Sequence, residues 1–131
     1  MRKRVTILGS TGSIGRSALD VVRRHADQFE IEVLAAFSNV DLLVQQAQEF
    51  RPKVVAIGDP RYAAFLMQRL PEIRVTQGPK GIEEAAAIPV DITLCAMVGA
   101  AGLLPVLRVL ENGGVLALAN KEPMVMAGAL L

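Results

Sequence analysis

Glycine recurs at every third position in ILGSTGSIG, the stretch from Ile7 to Gly15, at Gly9, Gly12 and Gly15. Such a rhythm after an apolar run removes side chains where something must come close to the backbone. Gly9 suits a tight turn at a strand end, Gly12 leaves room for a ligand, and Gly15 lets a following helix pack near a sheet. The start of that helix would offer unpaired N–H groups and partial positive charge. Thr11 and Ser13 add hydroxyl donors. The guest that matches this chemistry is a diphosphate. A phosphate-transfer loop is excluded: it needs four residues between its glycines and a following lysine, whereas five separate Gly9 from Gly15 and Arg16 stands in the lysine's place.

The spacing is GxxGxxG, not the GxGxxG of many NAD sites. An NAD-selective site places Asp or Glu at the end of the second strand to hold the ribose 2′-hydroxyl. Here that end reads Phe37, Ser38, Asn39, with no acid. Ser38 and Asn39 can donate to a 2′-phosphate without repelling it, so NADP is favoured over NAD. The Tyr-x-x-x-Lys pair of extended short-chain dehydrogenases is absent, because Leu66 lies four positions after Tyr62, the one tyrosine. A semialdehyde dehydrogenase half would need Cys95 as its nucleophile. That residue lies in the apolar run DITLCAM and reads as a buried small hydrophobe. His25, the one histidine, reads as a helix C-terminal residue.

The elements that must hold these groups alternate. RVTIL is a strand ending in the glycine loop. Ile14, Ala18, Val21 and Val22 then fall on one helical face. IEVLAAF is a second strand. Asn39 caps a second helix with Asp41 in its first turn and a stripe of Val40, Leu43, Val44 and Ala47. KVVAI is a third strand, GDP opens a third helix running through Tyr62 to Leu70, IRVTQ is a fourth strand, and a short helix covers Glu83 to Ala87. DITLCAM and VLALAN are further strands, and a helix between them runs from near Leu104, with Pro105 in its first turn, to Gly113-Gly114. Strands that are continuously apolar are covered on both faces. The alternation predicts an α/β fold: a Rossmann-like, doubly wound parallel sheet flanked by helices.

The chain has 131 residues and a net charge of +1, which suits one domain and argues against a broad nucleic-acid face. The basic clusters Arg2, Lys3, Arg4 and Arg23, Arg24 read as solvated element edges. No apolar run approaches the length of a membrane span. A lone cysteine forms no internal disulfide, and no Cys/His cluster suggests zinc. The ending KEPMVMAGALL begins another apolar helix, the natural start of a further domain, so the sequence is expected to be a piece of a longer protein.

TILGSTGSIG, VGAAGLLP and LANKE, in this order and at these distances, together with FSNVDLLVQQAQEFRPKVV between them, closely resemble the 1-deoxy-D-xylulose 5-phosphate reductoisomerase family. The resemblance runs along nearly all of the chain. It implies an enzyme that rearranges a phosphorylated deoxyketose and reduces the resulting aldehyde with NADPH to 2-C-methyl-D-erythritol 4-phosphate, on the non-mevalonate isoprenoid route. It implies a divalent cation, Mg²⁺ or Mn²⁺, a homodimer and a cytoplasmic location. Residues 1–131 would be the NADPH-binding portion. By resemblance Thr11, Gly12, Ser13 and Ile14 line the cofactor phosphates, and Phe37, Ser38 and Asn39 face the adenosine ribose phosphate. Asn120 and Glu122 lie toward the nicotinamide, and Lys121 reaches the substrate. The last three also follow a strand, where open α/β sheets place ligands.

Two positions depart from the family. Glycine is common where Phe37 stands, so its ring either stacks near the adenine or narrows the site. Pro123 and Met124 replace the usual residues after the Asn-Lys-Glu triplet, which a first helical turn tolerates. The family's acidic metal ligands come later in its sequence, so this chain alone is expected to bind NADPH and to catalyse nothing. Two other readings remain open at this point: half of another NADP-dependent reductase of the semialdehyde dehydrogenase type, and a non-catalytic dinucleotide-sensing module.

Overall fold

The computed structural model describes residues 2–97 and the strand at 115–118. Six strands form one parallel sheet: β1 (Lys3–Leu8), β2 (Phe29–Ala36), β3 (Val54–Ile57), β4 (Arg74–Gln77), β5 (Ile92–Cys95) and β6 (Val115–Leu118), in the order β4-β3-β2-β1-β5-β6. The helices between them are α1 (Ser13–Arg24), α2 (Val40–Phe50), α3 (Ala63–Arg69) and α4 (Gly78–Ala86), with a 3₁₀ turn at Pro60–Tyr62 before α3. The order runs outward from β1 in one direction through β2 and in the other through β5. That reversal opens a crevice at the carboxyl ends of β1 and β5, where such sheets take ligands.

The central strands β1, β2 and β3 are buried on both faces, which is why they read as unbroken apolar runs. Ile7, Leu34, Val55 and Ile57 point into one cluster with Leu19, Val22, Leu43, Val44 and Leu66. Leu8, Val33, Ala35, Ala56 and Cys95 point into the other with Ile82, Ala85 and Ala86 of α4. Each fully buried leucine contributes about 2 kcal/mol. The β1–β2 register slips between Val5 and Thr6, whose partners are Ile31 and Val33. Glu32 is thus the extra residue of a bulge; it is buried, with Lys53 Nζ 3.7 Å from its carboxylate.

Two elements differ from the sequence reading. Ile14 and Val21 were expected inside α1 but are 49% and 45% exposed, and the buried line is Gly15, Leu19 and Val22, with Ala18 half-buried. The helix is turned by one position because Gly15 must face the glycine loop. The short helix expected from Glu83, α4, begins instead at Gly78. Gly78, Pro79 and Gly81 look like helix breakers. Pro79 instead occupies the first turn, where its missing N–H is harmless. Gly81 lies against β4, its carbonyl accepting from Thr76 Oγ1 at 2.8 Å.

Other expectations hold. Asn39 caps α2, its Oδ1 accepting from the Leu42 N–H at 3.4 Å, and Val40, Leu43, Val44 and Ala47 are buried. His25 is the C-cap of α1. From the basic clusters, Arg2 pairs with Glu30, Arg23 and Arg24 with Asp20, and Arg23 across to Glu49 of α2, all at the surface. Being exposed, they add little to stability. The expected helix from Leu104 to Gly113 lies outside the described residues. Among the described residues no helix is long and apolar enough to cross a membrane.

A candidate dinucleotide site

The glycine turn is built by contacts that only glycine permits at two of its three positions. Gly9 has φ +95°, and a Cβ there would stand 2.8 Å from the Ala96 carbonyl carbon, so the turn passes directly against the end of β5. The Gly9 and Ser10 N–H groups both donate to the Ala35 carbonyl, at 2.7 and 2.9 Å, fastening the turn to the end of β2. At Gly15 a Cβ would overlap the Gly9 carbonyl oxygen and stand 2.7 Å from Ser10 Cα. The first turn of α1 is therefore pressed onto the loop.

That first turn is left open at its mouth. Gly12 is the N-cap, no side chain among the described residues caps the helix, and no acid lies in its first turn. Helical geometry gives these leading N–H groups no intrahelical acceptor. Gly12, Ser13 and Ile14 are exposed and Thr11 is half-buried. Arg23 and Arg24 in the last turn complement the negative end of the dipole. The structure thus brings Thr11, Gly12, Ser13 and Ile14 together around uncapped amides at the crevice of the sheet.

Phe37, Ser38 and Asn39 follow β2 and are exposed. Asn39 spends its amide oxygen on the α2 cap, which leaves its NH₂ as the donor toward solvent. Phe37 is 64% exposed, and its ring lies over Gly58, where a Cβ would meet Phe37 Cδ1 at 2.6 Å. One ring face therefore has a floor. An acid does sit beside this segment, supplied by β3 rather than β2. The Asp59 N–H donates to the Phe37 carbonyl at 2.8 Å. Arg61 grips the Asp59 carboxylate, with Nη2–Oδ2 at 2.7 Å, and this hydrogen bond holds that carboxyl below its ordinary range. Its charge is matched by a guanidinium that is itself exposed.

Cys95 is wholly buried beneath α4, and burial pushes its thiol pKa up. A nucleophilic cysteine needs the opposite environment. Alkylation of Cys95 by iodoacetamide in the folded chain is accordingly expected to be at least about a hundredfold slower than in denaturant, followed by mass spectrometry. Rapid native labelling would show that the thiol is not buried beneath α4. Asn120, Lys121 and Glu122, and the VGAAGLLP segment, lie outside the described residues.

One contributor was missed by the sequence reading. Gln46 is 6% exposed within the apolar face of α2, and its Nε2 donates to the Ser10 carbonyl at 2.9 Å. The available signal was its position: three residues after Leu43, a glutamine falls on the stripe that should be apolar.

The family model of 1-deoxy-D-xylulose 5-phosphate reductoisomerase matches residues 5–128. The chain belongs to that family. It is 42% identical over 134 residues to the reductoisomerase of Porphyromonas gingivalis, covering 100% of this chain and 35% of that protein. It is 47% identical over 134 residues to that of Chlorobaculum tepidum, covering 98% of this chain and 35% of the relative. The fold superposes on the Zymomonas mobilis reductoisomerase solved in complex with NADPH, with TM-score 0.94 and 37% identity over 99% of this chain and 35% of that one. A reductoisomerase solved with NADPH, fosmidomycin and magnesium gives TM-score 0.91 at 39% identity, over 98% of this chain and 32% of the other. The chain therefore spans about a third of the length of the reductoisomerases it matches, and its architecture is the Rossmann-like α/β sheet that the alternation of elements predicted.

Proposed function

We propose that this chain is the NADPH-binding portion of a reductoisomerase that isomerises 1-deoxy-D-xylulose 5-phosphate and reduces the product to 2-C-methyl-D-erythritol 4-phosphate. The observation that carries this reading is the uncapped mouth of α1 at the sheet's crevice, with Gly12 open to the outside. The N–H groups of Thr11, Ser13 and Ile14, with the Thr11 and Ser13 hydroxyls, hold the cofactor diphosphate, and Gly12, whose N–H closes the turn onto the Gly9 carbonyl at 3.4 Å, leaves the space for it. Exposed Ile14 lies over it. Ser38 and the Asn39 NH₂ donate to the 2′-phosphate, and the Phe37 ring, backed by Gly58, lies under the adenine. Asn120 and Glu122 lie toward the nicotinamide and Lys121 toward the phosphorylated ketose.

NADPH supplies a hydride when bound; this chain's residues bind and orient it. Reduction also requires the substrate to be held in reacting geometry. Among the described residues no three His, Cys, Asp or Glu side chains gather as a hard divalent cation would need. By the family resemblance the Mg²⁺ or Mn²⁺ ligands come later in the enzyme's sequence, and the 131 residues alone should not turn over substrate. By family resemblance the whole enzyme is a cytoplasmic homodimer.

Calorimetric titration of the chain with NADPH and NADH tests the assignment. The 2′-phosphate adds at least one charge-assisted hydrogen bond, so NADPH should bind at least about tenfold more tightly. Equal affinities, or no uptake of either, would overturn it.

A further inference from the structure

Resting on that reading, we propose that Gln46 is a positioning residue: it fixes the diphosphate turn to the ribose-phosphate edge of the same site, through α2. Three observations carry this. First, the Gln46 Nε2 bond to the Ser10 carbonyl joins the middle of α2 to the glycine turn across 36 positions of sequence. The peptide after Ser10 is planar and trans. Holding its carbonyl toward α2 therefore turns the Thr11 N–H the opposite way. Gln46 orients one of the donors assigned to the cofactor without touching the cofactor.

Second, the bond is not what a packing role would select. Among the described residues, Gln46 Oε1 and the Ser10 hydroxyl are both buried without a hydrogen-bond partner. Burying a half-satisfied amide costs stability that a methionine of similar length would not. The residue earns no place by cohesion, so its consequence lies in the orientation it imposes.

Third, α2 begins where the other half of the site ends. Asn39 caps it, and Ser38 and Phe37 directly precede it. One rigid helix thus carries the 2′-phosphate segment at its start and holds the diphosphate turn two helical turns later. A dinucleotide is gripped at two points whose separation is set by this helix.

The test compares the chain with Gln46→Met, Gln46→Glu and, as a control from the exposed side of the same helix, Gln45→Met. Amide hydrogen exchange reads the turn directly, and titration with NADPH and with adenosine 2′-phosphate reads the two halves of the site. Gln46→Met should raise exchange at Thr11 and its neighbours and weaken NADPH about tenfold, leaving adenosine 2′-phosphate within about twofold. Gln46→Glu, which sets an acceptor against a carbonyl, should lose more; Gln45→Met should change nothing. Parental exchange and NADPH affinity in Gln46→Met would overturn the proposal. An equal loss for both ligands would also overturn it, since that marks a general lesion. A parent chain that takes up neither ligand overturns the dinucleotide reading and the functional half of this one, while the exchange rates still decide whether Gln46 holds the turn.

Discussion

Gly15→Ala is expected to cost the chain about 3 kcal/mol of stability, read as a fall in the urea midpoint with an unchanged slope. The added methyl would overlap the Gly9 carbonyl oxygen and stand 2.7 and 2.9 Å from Ser10 Cα and the Ser10 carbonyl carbon. None of these is the yielding end of a side chain. All are backbone atoms of a turn held by two N–H bonds to the Ala35 carbonyl. Relief requires α1 to withdraw from the sheet, and Leu19 and Val22 would withdraw with it. A domain of this size has only about 5–15 kcal/mol in total, so the loss is a large share. A Gly15→Ala chain with the parent's midpoint would show that α1 does not press on the turn.

The same contact explains what the sequence revealed and what it hid. Local rules made the glycine turn, the Asn39 cap and the buried Cys95 legible, since each follows from a residue type and its immediate neighbours. The rotation of α1 was only half legible. Gly15 was read as facing the sheet, but Ile14 and Val21 fit an apolar stripe as well as Leu19 does, and hydrophobicity alone did not turn that stripe to the side of the glycine. The α4 start was hidden because Gly78, Pro79 and Gly81 are read one at a time as breakers, yet together make a proline-led first turn packed on Thr76. Contributions that reach the site from other strands were hidden for a deeper reason. Asp59 lies beside Phe37 only because β3 pairs with β2, and Gln46 meets Ser10 only because α2 crosses the β1–α1 turn. Such pairings are properties of the assembled sheet, not of any window of sequence. The LANKE segment was legible by family resemblance, with its place after a predicted strand as partial support.

Gly12→Leu should do the reverse of Gly15→Ala: it should leave the fold standing and remove the cofactor. Gly12 has φ −77° and ψ 173°, a conformation open to any residue, and among the described residues a Cβ there would meet only the Gly9 carbonyl oxygen, at 3.8 Å. Neither backbone strain nor internal crowding calls for glycine. The cost to stability is that of a poorer N-cap, about 1 kcal/mol or less. What the leucine would fill is the space outside the uncapped amides, where the diphosphate is placed. Losing even two charge-assisted hydrogen bonds there predicts a fall in NADPH affinity of at least about a hundredfold, or ~2.7 kcal/mol. Gly12→Ala, with one methyl in the same space, should fall between the parent and the leucine variant. Paired titration and urea unfolding separate the two glycines: stability moves with Gly15, affinity alone with Gly12. If the Gly12→Leu chain folds like the parent and still binds NADPH as tightly, the diphosphate lies elsewhere, because a side chain at that point and a phosphate on those amides exclude one another.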